Sequence, residues 1–264
     1  MSNKAKMMNF KSITPDKTIS LFVKNIWLFE NKDKNVETNL PFYADGYPGL
    51  MFQQTDSGLM IAPHNKTMPE IFLYGQTIKP VELKVSGAYL LIVFQLYPFV
   101  LRAFFNIVPK NINDECYHFD DINGNGGITE LSMKLRISET SMHKVEIISD
   151  FFLSIFEKKK KNIDYKIREA IGYIINTGGQ QSIRTIAEKS KLNIRTFERR
   201  FMKETGLSPK QFSKIIQFQA TVEHLKSKDY SKLSDIVYEN GFADQSHFIR
   251  VFKTFTGKTP KVFK

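Results

Sequence analysis

One nine-residue phrase occurs twice near the C-terminal end. Phe201-Met202-Lys203-Glu204-Thr205-Gly206-Leu207-Ser208-Pro209 recurs 51 positions later as Phe252-Lys253-Thr254-Phe255-Thr256-Gly257-Lys258-Thr259-Pro260. Both copies read F-x-x-x-T-G-x-[ST]-P, and at the same offset Phe197 matches Phe248 and Arg199 matches Arg250. An internal repeat exposes the architectural unit of a chain. Each copy predicts a helix stopped by Gly, then a Ser or Thr cap and a Pro able to open a following helix. Two such units with solvent-facing arginines in register imply two helices that read nucleic acid.

Charge distribution agrees. Residues 162–264 carry 19 Lys and Arg against 10 Asp and Glu, a net +9, whereas residues 1–161 carry 19 against 17, a net +2. A basic domain beside a nearly neutral one is the electrostatic footprint expected for polyanion binding. At 264 residues the chain suits two modest domains. Their boundary is expected at the run Glu157-Lys158-Lys159-Lys160-Lys161-Asn162, giving domains 1–161 and 162–264. No apolar run is long enough to span a membrane, and Met1 to Lys11 lacks the apolar stretch of a secretory signal. The single cysteine, Cys116, cannot form an internal disulfide or a cysteine zinc site, which fits cytoplasmic residence.

Within the basic domain, Tyr165 to Asn176 predicts a helix ended by Gly178-Gly179. Ser182 caps a helix from Ile183 to Lys189, and Asn193 caps the next, reaching Lys203. In that third helix Ile194, Phe197 and Phe201 share one side while Arg195 and Arg199 face away, with Glu198 near the edge. A short helix, a tight turn and a helix with a basic outer face form a helix-turn-helix. The second unit starts at Leu233, turns at Asn240-Gly241-Phe242 and restarts behind the cap Asp244. It buries Phe248, Val251, Phe252 and Phe255 and turns Ser246, Arg250 and Lys253 outward, with Gln245 and His247 in the exposed first turn. A last short helix is expected from Pro260 to Phe263. Between the units Ser208 to Lys226 predicts one long helix with a wide apolar stripe (Phe212, Ile215, Ile216, Phe218, Val222, Leu225). Its span of roughly 28 Å is near the ~34 Å between successive major-groove faces of DNA.

Residues 166–264 resemble the DNA-binding domain of the AraC/XylS family of bacterial transcription regulators. The resemblance rests on Ile236 to Pro260, with Gly241-Phe242-Ala243-Asp244-Gln245-Ser246-His247-Phe248 and Phe252-Lys253, and on Leu207-Ser208-Pro209 after the first unit. It implies double-stranded promoter DNA as partner, with Arg195, Glu198, Arg199, Gln245, Ser246 and Arg250 touching bases. Arg suits guanine, Gln suits adenine and Glu accepts from cytosine. Arg200, Lys203 and Lys253 suit phosphates, which set register without reading sequence. Gln217 stands where the family usually has Arg, and Val237 where it usually has Ala.

The first 127 residues predict strands at Ile26–Phe29, Gly49–Phe52, Leu59–Ala62, Ile71–Leu73 and Tyr89–Leu96, separated by Gly, Pro, Asn and Asp. A short helix is expected from Phe99 to Ile107, and a long one from Ile128 to Phe156, whose Val145, Ile148, Phe152 and Ile155 form one stripe. That stripe fits burial in its own domain or in a homodimer. The phrases Asn25 to Phe29, Leu40 to Gly46 and Tyr74 to Thr77 resemble the β-rich sensor half of some family members, which implies a small barrel or cupin-like sheet. The fold class expected is therefore α+β: a β-rich N-terminal domain with helices, then an all-α domain of two helix-turn-helix units joined by a long helix.

Fourteen of the 23 Phe residues precede residue 162, enough to line an apolar pocket for a small-molecule effector; a protein effector fits equally. No cofactor or metal is expected, since His64, His118 and His143 lack ligand spacing, and Asp120 to Gly127 lacks the closing Glu of a calcium loop. No catalytic frame is visible. RNA polymerase is a further partner if the output is activation. The rival readings are an enzyme with a DNA-targeting helix-turn-helix tail and a protein-interaction module. The alkyl-repair form of the first needs a cysteine cluster that this chain lacks. The Met142 to Phe156 helix and the lysine run are expected to be the only connection between the domains.

Overall fold

The computed structural model describes residues 9–63, 65–118, 126–227 and 232–262. The Asp120 to Asn125 part of the turn-rich loop, His64 and Phe263 fall outside them. No helix among these residues is long and apolar enough to cross a membrane.

The N-terminal part is β-rich and built in layers. One sheet has the order β1 (Asn9–Ile13), β2 (Val23–Asn31), β9 (Tyr89–Leu96), β4 (Gly49–Thr55), β7 (Ile71–Tyr74) and β10 (Cys116–His118); the other has β3 (Glu37–Phe42), β8 (Val81–Ser86), β5 (Leu59–Ala62) and β6 (Lys66–Met68). All pairings are antiparallel. The strands lie in two separate sheets, so no closed cylinder is seen among the described residues. Strand alternation splits the core in two. From β9, Tyr89, Leu91 and Val93 meet Leu40, Leu59, Leu83 and Val85 of the smaller sheet, while Ile92, Phe94 and Leu96 face helices.

Those helices are α1 (Val100–Phe105), α2 (Gly126–Ile137) and α3 (Ser141–Lys159). The expected single helix from Ile128 to Phe156 is thus two. Thr140 caps α3 by accepting from the His143 amide at 3.2 Å, and the buried Lys144 ammonium donates to the carbonyls of Leu135 and Ser138, which the end of α2 leaves free. Burial pushes the Lys144 pKa down. The apolar stripe of α3 packs on its own sheet, with the Phe152 ring 5.7 Å from that of Phe94.

The C-terminal part is all-α: α4 (Tyr165–Asn176), α5 (Ile183–Lys189), α6 (Ile194–Thr205), α7 (Pro209–Ser227), α8 (Leu233–Glu239) and α9 (Gln245–Thr256). Along α7, Phe212, Ile215, Ile216, Phe218 and Val222 are buried, and truncating one such ring costs roughly 3–5 kcal/mol. Pro260 opens a turn instead of a last helix. Ile194, the first residue of α6, projects past the packed face and stays 39% exposed, contrary to its expected inward place.

The lysine run is not the only junction between the two parts. One apolar cluster runs through both. Phe212 lies edge-on to Tyr47 at 6.5 Å, the Gln219 side chain donates to the Ala44 carbonyl, and Asn113 donates to the Gly206 carbonyl at 3.1 Å.

Candidate nucleic-acid interface

The repeated phrase folds twice into the same device. Thr205 Oγ1 donates to the Phe201 carbonyl at 2.8 Å and accepts from the Leu207 amide at 3.2 Å. Thr256 does the same with Phe252 and Lys258, at 2.8 and 3.1 Å. Gly206 and Gly257 follow with φ of 76° and 71°, a left-handed turn that closes each helix. After the first copy Ser208 and Gln211 form a reciprocal capping box: Ser208 Oγ accepts from the Gln211 amide, and Gln211 Oε1 accepts from the Ser208 amide. Pro209 then opens α7.

The helix starts are equally local. Ser182 accepts from the Thr185 amide at 3.1 Å, Asn193 from Thr196 at 2.9 Å and Asp244 from His247 at 2.7 Å. The turns before α6 and α9 differ by one residue. In the first, Lys191 takes the left-handed conformation at φ 53°; in the second, Gly241 takes it at 76°.

Each cap aims the helix behind it. On α6 the buried Phe197, Phe201 and Thr205 set the inner face, which leaves Arg195, Glu198, Arg199 and Lys203 exposed. On α9 the buried Phe248, Val251, Phe252 and Phe255 leave Gln245, Ser246, Arg250 and Lys253 exposed. Arg200 is placed differently. Its guanidinium forks onto the carboxylate of Asp164, Nε to Oδ2 at 2.8 Å and an NH2 to Oδ1 at 2.6 Å. Asp164 also caps α4, so this pair ties the α6 side wall to the first helix of the bundle.

Two further polar groups border the α9 face. Lys214 of α7 and His247 line a cleft of about 350 Å³ with Arg250. His247 is held edge-on to Phe242, ring centres 5.6 Å apart. The sequence marked His247 as exposed but offered no signal for Lys214, whose meeting with α9 depends on how α7 crosses it. Gln217 donates to the Asn240 carbonyl at 2.8 Å, and Gln180 to that of Glu239 at 3.1 Å, so amide side chains pin the second turn against α7 and the α4–α5 turn. Among the described residues no group of three His, Cys, Asp or Glu side chains is arranged to hold a metal ion.

A family model described as a helix-turn-helix domain matches residues 186–264, and one described as a domain of unknown function (DUF6597) matches residues 11–118. The chain is 29% identical over 76 residues to the HTH-type transcriptional activator RhaS of Escherichia coli strain SE11, covering 29% of this chain and 27% of that protein. It is 33% identical over 69 residues to RhaS of Citrobacter koseri, covering 26% and 24%. The chain thus spans about a quarter of the length of these curated relatives. It is also similar to the crystal structure of unsaturated fatty acid bound wild-type ToxT from Vibrio cholerae strain SCE256, at 16% identity and a TM-score of 0.46, covering 90% of this chain and 93% of that one. With its repeated capped helices and the family-model match over residues 186–264, the C-terminal part of the chain is a helix-turn-helix domain.

Proposed function

We propose that the chain is a sequence-specific DNA-binding transcription regulator, with an N-terminal domain over residues 1–161 and a DNA-binding domain over 162–264. In this reading α5–α6 and α8–α9 are two helix-turn-helix units, joined by α7 and docked in adjacent major grooves. The observation that carries it is the pair of exposed polar helix faces set in one register by the repeat. Arg195, Glu198, Arg199, Gln245, Ser246 and Arg250 would read base edges. Lys203 and Lys253, with Lys214 beside them, would hold phosphates. Arg200 can join them only by giving up part of its pairing with Asp164.

Regulation would run from the N-terminal domain, which binds a small apolar or aromatic effector without metal. A ligand regulates only if it favours one arrangement over another, and the contacts of Tyr47, Ala44 and Asn113 with α6 and α7 give it a direct route. Activation, with RNA polymerase as partner, follows the activity named for the RhaS relatives.

The test is selection of bound sites from random duplexes by the full chain, followed by a salt titration. Two recovered half-motifs one helical turn apart are expected, with a slope of log K against log salt of about −4 to −5 for ~5 released counterions. Recovery of no motif, or affinity flat in salt, would overturn the reading.

A further inference from the structure

Where β1, β2 and β3 meet α7 lies a cleft of about 280 Å³ whose walls come from both parts of the chain. The N-terminal part supplies Trp27, Phe42, Tyr43 and Asp45; α7 supplies Phe218 and Val222. Rings stand around it: Trp27 and Phe42 have centroids 6.5 Å apart at 46°. A cavity of about 150 Å³ admits benzene, so this one has room for a single ring and a short chain.

The polar end of the cleft is unusual. Asp45 is half-buried and lines the cleft. Its Oδ1 accepts from the Tyr47 amide at 3.0 Å and its Oδ2 from Gln95 Nε2 at 2.6 Å. Gln95 in turn accepts from Asn25 at 2.6 Å. These donors are all neutral, and among the described residues Asp45 has no cation paired with it. Burial without a countercharge raises its pKa to about 7. A carboxylate has about four acceptor sites, and the Tyr47 amide, Gln95 and its own backbone amide do not fill them all. Lys226, exposed on the last turn of α7, also lines the cleft. Among the described lining residues it is the one basic side chain, and it would draw an anion.

We propose that this cleft binds a small aromatic amine, its ring among Trp27, Phe42 and Phe218 and its ammonium group on Asp45. The ammonium supplies the charge that Asp45 lacks, and the ring faces favour a cation as well. Because the ring touches β2, β3 and α7 at once, occupancy favours the arrangement in which the N-terminal part grips the helix between the two DNA-reading units. The proposal rests on the reading of the N-terminal domain as effector-binding and names the effector's chemistry.

Trp27 is the chain's single tryptophan, so intrinsic fluorescence reports on this cleft. The full chain is titrated with 2-phenylethylamine, 3-phenylpropionate and ethylbenzene, at a pH above the Asp45 titration. The amine is expected to shift Trp27 emission saturably and to bind roughly tenfold or more tightly than the other two. Asp45→Asn should abolish that preference while leaving the circular dichroism of the fold unchanged, and Lys226→Gln should keep it. Equal or tighter binding of the carboxylate or the hydrocarbon, no shift with any probe, or undiminished amine affinity in Asp45→Asn would overturn the proposal. If Asp45→Asn does not fold, the ranking of the three probes on the native chain decides alone. Site selection on the same preparation separates the two readings: a chain that selects DNA but ignores the amine loses only the cleft, and one that binds the amine but selects no DNA loses only the regulator.

Discussion

Arg102 of α1 reaches Glu204 in the last turn of α6, Nε to Oε1 at 3.3 Å, with the Glu204 side chain only 9% exposed. The helix proposed to enter DNA first is thereby held at its far end by the N-terminal part. Burial pushes the Glu204 pKa up while Arg102 opposes that rise. Arg102→Ala should leave an unpaired buried carboxylate and cost roughly 1–3 kcal/mol of stability. Since Glu204 can take up a proton when its partner is gone, the loss measured by urea unfolding should be larger in alkaline than in acidic buffer. Equal losses at both would mean that the pair contributes no charge interaction.

The two left-handed glycines allow a cleaner comparison. A Cβ on Gly206 would lie 2.6 Å from the Lys110 amide nitrogen and 2.7 Å from the Pro109 carbonyl carbon, whereas on Gly257 it would meet only Pro80 Cγ at 3.7 Å. Gly257→Ala should then cost about 1–2 kcal/mol, the penalty of the backbone conformation alone. Gly206→Ala should cost clearly more, because the α6 turn must back away from the N-terminal part. Matching denaturation midpoints for the two variants would show that this junction is not tight.

On the helix faces proposed to read DNA, Arg199→Ala and Arg250→Ala should each lose ~1–3 kcal/mol at the selected site and relax preference at one base position. Lys253→Ala should weaken all sequences about equally. Arg200→Ala should instead lower the melting temperature, through the lost pair with Asp164, before it alters sequence preference. Site selection with each variant, beside a thermal melt, checks the division.

Asp45 gives the chain a pH signature. Its carboxyl, normally near 3.8, titrates at about 7 in the folded chain. Between those values the folded chain keeps a proton that the unfolded chain has released, so stability should fall as pH rises through this window and level off above it. Glu204, shifted in the same direction, adds to the trend. In Asp45→Asn the slope should shrink, because the site is neutral at every pH. An unchanged slope in urea titrations across the window would place the effect elsewhere.

Several pieces of this fold were readable from a few neighbouring residues. Ser182, Asn193 and Asp244 cap because each reaches an amide three residues on, and Thr-Gly ends α6 and α9 through bonds within one turn. Strands β4, β7 and β9 showed themselves as apolar runs because that sheet is covered on both faces. Strands β3 and β8 did not. Only alternate residues such as Leu40, Leu83 and Val85 are buried there, and polar neighbours dilute the signal. The break at Ser138 to Thr140 was hidden in a continuing helical period until Lys144 closed it from the next turn.

The amino-acid sequence by itself determined the two repeated units, their caps and the outward polar faces, since backbone hydrogen bonding and side-chain period act over three or four residues. Only the tertiary structure decided that Arg200 belongs to Asp164, that Lys214 meets α9, that Arg102 clasps Glu204 and that Asp45 lines an aromatic cleft with no cation paired to it among the described residues. Those pairs are tens of residues apart or more, and their meeting depends on how whole layers pack. Burial, which sets the electrostatics of Glu204 and Asp45, belongs to that packing and to no local stretch of chain.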